Sequence, residues 1–229
     1  MAIKLFTPLS VGAFDLAHRI FVLGRTISPS GGGGPRPMAL ARRTSRGGLV
    51  VVRPATGEAA QRDHGKPMAD AIRGAGGIAV AEIADAAAAR EARDAGFDGV
   101  ELDGTQACIE GAAMLGEAVR AVAEIWERER LFVRLMPFAP APGLDDEARS
   151  RLFVAAAHQL DGEEIAAAHV VADRSEVERG FGADAHVSGL ARMMRGVFRG
   201  TLLASGDYTL ADAIRLVEGR WADAATIAP

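Results

Sequence analysis

The feature that most constrains this chain is a regular alternation of short apolar runs with helical segments along its whole length. Each apolar run is only a few residues long, which is typical of parallel strands that are buried on both faces. The predicted strands are His18–Gly24, Gly48–Arg53, Gly77–Ala84, Phe97–Asp103, Arg130–Met136, Glu164–Ala172, Gly200–Ser205 and Ala222–Ala228.

Helices are predicted between most of these strands. Proline 67 suits the first position of a helix, Gly96 suits a C-cap, and Thr209 and Asp212 have the spacing of a capping box. The predicted helices are Pro67–Ala75, Ala84–Ala95, Ile109–Glu129, Asp145–Leu160 and Thr209–Glu218.

Alternating strands and helices imply right-handed crossovers and a parallel sheet. Eight strands favour a closed (β/α)₈ TIM barrel that takes in residues 1–229 as a single domain, with an open doubly wound sheet as the alternative. No eighth helix follows the last predicted strand, so we expect a strip of the outer sheet surface to be covered by another subunit or by the N-terminal segment. The glycine-rich stretch Ser28–Pro37 matches no phosphate-loop pattern and is interpreted as a flexible connection.

Composition excludes several classes of function. The net charge of −4 and the pI of about 5.8 argue against a nucleic-acid partner. Cys108 is the only cysteine, which excludes an internal disulfide and is typical of a reducing cytoplasm. No signal peptide or membrane span is predicted, and no histidine or cysteine pair has the spacing of metal ligands.

Several polar residues fall inside the predicted strands. Side chains alternate along a strand, so Glu101 and Asp103 share one face, and Arg134 can reach Glu101, Asp103 or Glu82 if these faces point into the barrel. The group is either a buried ion network that fixes strand register or the polar floor of a pocket. His169, among alanines, is either a core histidine or an acid–base group.

Other polar residues have weaker signals. Cys108 is interpreted as a small buried residue, Asp207 as a local cap or turn residue, and Tyr208 as a residue of the barrel mouth. Three arginines before the seventh strand form a basic strip that is either a solvated face or a phosphate-binding group: Arg192, Arg195 and Arg199.

Five segments in the same order resemble the old yellow enzyme family, the FMN-dependent ene-reductases built on a (β/α)₈ barrel. They are LFTPLSVGAFDLAHRIFV, GGLVVVRPATG, AREARDAGFDGVELDG, ERLFVRLMP and LLASGDYTLADAIRLVEGRWADAATIA, and together they run from about Leu5 to Ala228. The resemblance implies FMN and NAD(P)H as cofactors and a small-molecule substrate. It also implies that Thr26 lies near the flavin, that Arg134 contacts the flavin ring, and that Gly206 lies in a phosphate-binding turn.

At other positions the chain departs from the family. Asp103 and Gln106 stand where the family has a His-x-x-Asn or His-x-x-His pair that binds the activating oxygen of the substrate, and Glu82 replaces a flavin-contacting glutamine. An ionised carboxylate accepts hydrogen bonds and donates none. The long active-site loops of the family are also shortened, and its phosphate-clamping Gly-Arg pair is not found.

Three classes of function therefore remain open. The first is an FMN-dependent oxidoreductase of activated alkenes, in which Thr26, Arg134 and Gly206 would hold the FMN. The second is a flavin-independent acid–base enzyme, an isomerase or cyclase, using Glu82, Asp103 and His169; clustered carboxylates would raise one another's pKa and provide a general acid. The third is a non-catalytic partner subunit.

Overall fold

The structure is a computed structural model and describes residues 2–24, 46–54, 65–137, 143–171 and 191–227. Thr26 and the predicted loop Ser28–Pro37 lie outside the described residues.

Eight parallel strands form the sheet, and each pairs with its neighbours in chain order. A parallel bridge between Ile20 and Ala225 joins the first of these strands to the last, so the sheet closes on itself and the predicted (β/α)₈ barrel is confirmed. A short antiparallel hairpin precedes it. The strands are β1 Leu9–Val11 and β2 Phe14–Leu16 in the hairpin, and β3 Phe21–Gly24, β4 Leu49–Val52, β5 Ile78–Ile83, β6 Gly99–Asp103, β7 Leu131–Leu135, β8 Ala167–Val171, β9 Leu202–Ser205 and β10 Ala224–Ala225 in the barrel.

The described helices are α1 Lys66–Gly74, α2 Ala86–Asp94, α3 Thr105–Glu110, α4 Ala112–Ala123, α5 Asp146–Asp161 and α6 Leu210–Glu218, with 3₁₀ turns at Lys4–Phe6 and Arg128–Arg130. The predicted capping box at Thr209 and Asp212 is confirmed. The predicted helix Ile109–Glu129 is wrong in its bounds. Helix formation begins at Thr105 and breaks at Gly111, whose φ of 133° is open to glycine because it has no Cβ.

Alternation along the strands divides the core in two. One set of side chains packs outward against the helices, and the other fills the barrel. The hairpin plugs the N-terminal end, where the rings of Phe14 and Phe132 stack with centroids 6.0 Å apart. Gly99 allows this contact, because a Cβ there would lie 2.7 Å from the Arg130 carbonyl oxygen and 3.2 Å from the Phe14 ring.

The N-terminal segment lies against the outside of the barrel beside α6. Leu5 is fully buried in the outer core, its carbonyl oxygen accepts a hydrogen bond from the Arg19 amide, and the Lys4 amide donates to the Glu218 carboxylate. The N-terminal segment is one of the two candidates, with another subunit, that the sequence analysis offered as a cover for the strip of the outer sheet surface. Among the described residues, no helix is both long enough and apolar enough to cross a membrane.

Candidate functional site

Four charged residues lie at the carboxyl ends of consecutive barrel strands and face the interior. Arg53 follows β4, Glu82 is near the end of β5, Asp103 ends β6, and Arg134 is near the end of β7. Each continues the inward face of its strand; Leu49 and Val51, for example, precede Arg53 in the inner core. We call these four residues the charged rim. In a (β/α)₈ barrel this end of the strands is where active sites form.

The charged rim is connected by ion pairs of alternating sign. Nη2 of Arg134 donates to Oε1 of Glu82 at 2.8 Å and to Oδ2 of Asp103 at 2.6 Å. Nε of Arg53 donates to the same Glu82 oxygen at 2.7 Å, and Nη2 of Arg53 also contacts it. Two arginines therefore neutralise two carboxylates, and the predicted network around Arg134 is confirmed for Glu82 and Asp103.

This pairing decides the protonation of the rim. Burial alone would raise the pKa of the Asp103 carboxyl, but the charge of Arg134 and hydrogen bonds from Thr105 and Arg134 outweigh it and hold that pKa below its ordinary value. Burial opposes the charge of Arg134, but Asp103, Glu82 and Glu101 together raise its pKa. At neutral pH, Asp103 is therefore an anion that accepts hydrogen bonds, and Arg134 is a cation.

Exposure of the side chains rises from the centre of the rim to its edge. It is 8% for Arg134, 13% for Glu82, 32% for Asp103 and 50% for Arg53. Solvent and small molecules therefore meet Arg53 and Asp103 first. The Nε atom of Arg134 is buried and has no hydrogen-bond partner among the residues described, which is uncommon for a buried polar atom.

A second polar layer lies deeper in the barrel. His169 on β8 is fully buried, with Nδ1 2.8 Å from Oε1 of Glu101 and Nε2 2.7 Å from Oγ of Ser205. The ring of Phe21 packs edge-on against the imidazole at 5.1 Å. Glu101 therefore pairs with His169 rather than with Arg134, and this histidine is a hydrogen-bonded core residue without contact to solvent.

The other predicted site residues do not converge on the charged rim. Gln106 lies on α3 with an exposed side chain, and its amide donates to Glu110 at 2.9 Å. Asp103 and Gln106 therefore do not form a pair around a common ligand. The Gly206 amide, just beyond β9, donates to the hydroxyl of Thr226 at 3.3 Å, which ties the ends of the last two strands together.

Several weaker predictions are corrected. Tyr208 is buried in the outer core rather than at the mouth, and burial raises the pKa of its phenol. Thr209 caps the helix, so of the two roles predicted for Asp207 the structure supports that of a turn residue, in the bend between β9 and α6. The three arginines lie before β9, at the end of the barrel opposite the charged rim, and have protein partners, so none of them replaces a phosphate clamp: Arg192 stacks on Trp221, Arg195 pairs with Asp223, and Arg199 pairs with Asp161.

Cys108 is buried, as predicted, and burial raises the pKa of its thiol to about 11. Sequence reasoning missed Arg53 and Ser205 as site residues. The signal for Arg53 was present, because alternation from Leu49 and Val51 brings it to the inward face of its strand. Ser205 gave no signal, because its importance depends on contact with a histidine 36 positions earlier.

The curated proteins that resemble the chain include two 12-oxophytodienoate reductases. The chain is 24% identical over 324 residues to 12-oxophytodienoate reductase 2 of Arabidopsis thaliana, covering 96% of this chain and 86% of the relative. It is 23% identical over 313 residues to putative 12-oxophytodienoate reductase 11 of Oryza sativa subsp. japonica, covering 96% and 84%. Both alignments are longer than the 229 residues of the chain, so parts of these relatives between the matched segments have no counterpart here. No family model matches the chain.

Solved structures of the same fold include morphinone reductase in complex with tetrahydroNAD, with a TM-score of 0.76 and 20% identity over 97% of this chain and 85% of that one. The old yellow enzyme homologue from Zymomonas mobilis has a TM-score of 0.78 and 21% identity over 97% and 88%. The resemblance found in the sequence is therefore confirmed: the chain is similar over nearly its whole length to 12-oxophytodienoate reductases, and its fold is that of the old yellow enzyme homologue from Zymomonas mobilis.

Proposed function

We propose that this protein is an FMN-dependent oxidoreductase that uses NAD(P)H to reduce activated alkenes. The observation that carries the proposal is Arg134, a buried guanidinium at the carboxyl end of β7 whose Nε has no partner among the described residues. An orphaned charged donor is costly unless a ligand completes it. The curated relatives are reductases by name, and they match nearly the whole chain.

The residues of the rim fit a flavin ring. Arg134 would donate from Nε to an acceptor atom of the ring and would place a positive charge beside it. Glu82 alone would disfavour a flavin that gains negative charge, but Arg53 and Arg134 both contact its carboxylate and offset that charge. Thr26 and Gly206 are proposed as further contacts. When bound, FMN would take a hydride from the reduced nicotinamide and pass it to the alkene.

The acid–base alternative required a general acid among the carboxylates of the rim, and these residues do not provide one. It required clustered carboxylates to raise one another's pKa, whereas arginines alternate with the carboxylates of the rim and the pKa of Asp103 is lowered. His169 has both ring nitrogens occupied and no exposed surface. No observation on these residues favours isomerisation or cyclisation.

The first test is titration of the purified protein with FMN, followed by flavin absorbance and thermal unfolding. We expect saturable binding with a rise in melting temperature, then bleaching of the flavin by NADH or NADPH without oxygen, and re-oxidation by 2-cyclohexenone. A protein whose absorbance and melting temperature do not respond to FMN would contradict the proposal.

Arg134→Lys tests the observation itself. Lysine retains the charge that Glu82 and Asp103 require but has no Nε donor, so we expect FMN to bind about 10-fold to 100-fold more weakly, as for one lost hydrogen bond from a charged group. Arg130→Lys is the matched control, because Arg130 precedes the same strand at the opposite end of the barrel and donates to the Asp98 carbonyl oxygen. Equal FMN affinity in both variants would remove Arg134 from the flavin site.

A further inference from the structure

The charged rim has one residue at its edge with unused donors. Arg53 is the most exposed of the four, and its Nε and Nη2 both contact the same oxygen of Glu82. A guanidinium has five N–H donors. Among the described residues, no other hydrogen bond joins Arg53, so Nη1 has no partner in that part of the chain.

Asp103 and Gln106 stand where the resembling family binds the oxygen of its substrate, but neither supplies a hydrogen-bond donor to such an oxygen. Asp103 is an anion whose two oxygens accept from Arg134 and from the Thr105 amide. The Gln106 amide donates to Glu110 along the exposed side of its own helix. A carbonyl oxygen placed against Asp103 would meet only another acceptor, which is repulsive.

We propose that Arg53 binds the acceptor oxygen of the alkene substrate and thereby takes over the role of the missing donor pair. This inference rests on the proposed function. Glu82 is the positioning residue: it holds the Arg53 guanidinium from below and is itself held by Arg134. The arrangement fixes a cation at the mouth while leaving its outer N–H groups exposed.

The chemistry requires such a cation. A hydride added to the β-carbon of an activated alkene forms a C–H bond, and the π electrons move through the α-carbon onto the carbonyl oxygen. The two electrons come from the reduced nicotinamide through FMN, and a proton from water then joins the α-carbon. Arg53 would stabilise the negative oxygen between these events, as donors aimed at a developing oxyanion do.

A guanidinium also selects the class of substrate. Its planar fork matches a carboxylate and its charge is permanent, so it binds an anionic oxygen more strongly than a neutral one. We therefore assign to this site an alkene conjugated to a carbonyl or carboxylate group, with carboxylates bound more tightly than uncharged analogues of the same skeleton.

Binding to the flavin-free protein tests this preference without any turnover. Calorimetry with crotonate and crotonamide compares two ligands of one skeleton that differ in charge. We expect crotonate to bind at least about 10-fold more tightly to the wild type, and Arg53→Gln to abolish the difference. Arg73→Gln is the matched control, since Arg73 is a similarly exposed arginine paired with Asp70 on α1. A preference for crotonate that persists in Arg53→Gln overturns the proposal.

The half-reactions test the catalytic role. With Arg53→Gln we expect re-oxidation by 2-cyclohexenone to slow by about 10²-fold to 10³-fold, as on loss of one oxyanion donor, and to slow much more than reduction of the flavin by NAD(P)H, which is affected only through the charge of Glu82. An unchanged re-oxidation rate overturns the proposal. If the wild type fails to take up or reduce FMN, the proposed function fails, and the crotonate experiment still decides the role of Arg53.

A double variant separates the two effects of removing this arginine. Arg53→Gln leaves Glu82 with one cation instead of two, and this alone could disturb the flavin. In Arg53→Gln/Glu82→Gln that excess charge is gone, so we expect re-oxidation to remain slow if Arg53 acts on the substrate. Recovery of the rate in the double variant would show that the loss came from Glu82 and would overturn the proposal.

Discussion

The two ends of the barrel are built from the same strands and have opposite chemistry. Near the N-terminal end, Phe132 on β7 is fully buried and stacks on Phe14 of the hairpin. Two residues further along the strand, Arg134 has the same inward direction and binds two carboxylates. One two-residue repeat along the strand therefore separates the charged rim from the apolar N-terminal end of the barrel. We call this apolar end, formed by Phe14 and Phe132, the floor. The floor stabilises the fold and the rim is where ligands can bind.

The strongest test of this division is Phe132→Ala on the floor. The side chain is fully buried, and its removal leaves a cavity beneath the hairpin, so we expect a loss of about 3–5 kcal/mol in the free energy of unfolding. Chemical denaturation measures it. Phe6→Ala is the control, because Phe6 is 52% exposed and its loss should cost much less. A loss below about 1 kcal/mol for Phe132→Ala would show that the floor does not carry the stability.

Arg134→Met tests the rim in the same assay. The substitution leaves Asp103 without its cation and Glu82 with Arg53 alone, and we expect a loss of roughly 2–3 kcal/mol. This is less than the 3–5 kcal/mol typical of a fully buried pair, because Asp103 is 32% exposed. Adding Asp103→Asn should restore part of the stability, since the uncompensated anion is then absent. If Arg134→Met lowers the free energy of unfolding more than Phe132→Ala does, the rim rather than the floor carries the stability, and the proposed division between the two ends is wrong.

The floor and the rim also differ in how well the sequence predicted them. Strand alternation predicted that Arg134 reaches Glu82 or Asp103 if their faces point into the barrel, and the apolar runs predicted the eight parallel strands, because both signals are local and periodic. The hairpin at the floor was missed. Its signal was available, since Leu9, Val11, Phe14 and Leu16 alternate around Gly12, but each of its strands has only three residues.

Other parts of the site could not be predicted from local patterns. Whether Glu101 pairs with Arg134 or with His169 depends on distances across the barrel, which strand order alone does not give. Gln106 was placed with Asp103 because the two stand where the resembling family has its substrate-binding pair. The early start of α3 at Thr105 directs the Gln106 side chain to the exposed side, where it bonds with Glu110. A backbone break at a single glycine, Gly111, likewise decided where the next helix begins.

Ser205→Ala tests the layer between floor and rim. The serine hydroxyl is 2.7 Å from Nε2 of His169 in a fully buried position, so its removal leaves one ring nitrogen without a partner. We expect a loss of about 1–2 kcal/mol, between a shared hydrogen bond and the desolvation of an unpaired group. Ser10→Ala, which removes an exposed hydroxyl bonded to Asp15, is the control. An unchanged unfolding free energy would place the buried layer outside the structural core.

The smallest effect is expected from Asp103→Asn, and it should be present at neutral pH and disappear in acid. The folded pKa of Asp103 lies below the unfolded value of about 3.9, because Arg134 stabilises the anion. Its contribution to stability is therefore complete above about pH 4–5 and is lost as the pH falls through the folded pKa. Unfolding free energies of wild type and variant should differ by a constant amount at neutral pH and converge below about pH 4. The pKa values of Asp161 and Asp212 are also lowered, chiefly by hydrogen bonds from Arg199 and from Thr209 respectively. Both residues are unchanged in the variant, so their acid sensitivity cancels from the difference. A difference that grows in acid would mean that Asp103 is stabilised in its protonated form, and the rim would then hold a general acid after all.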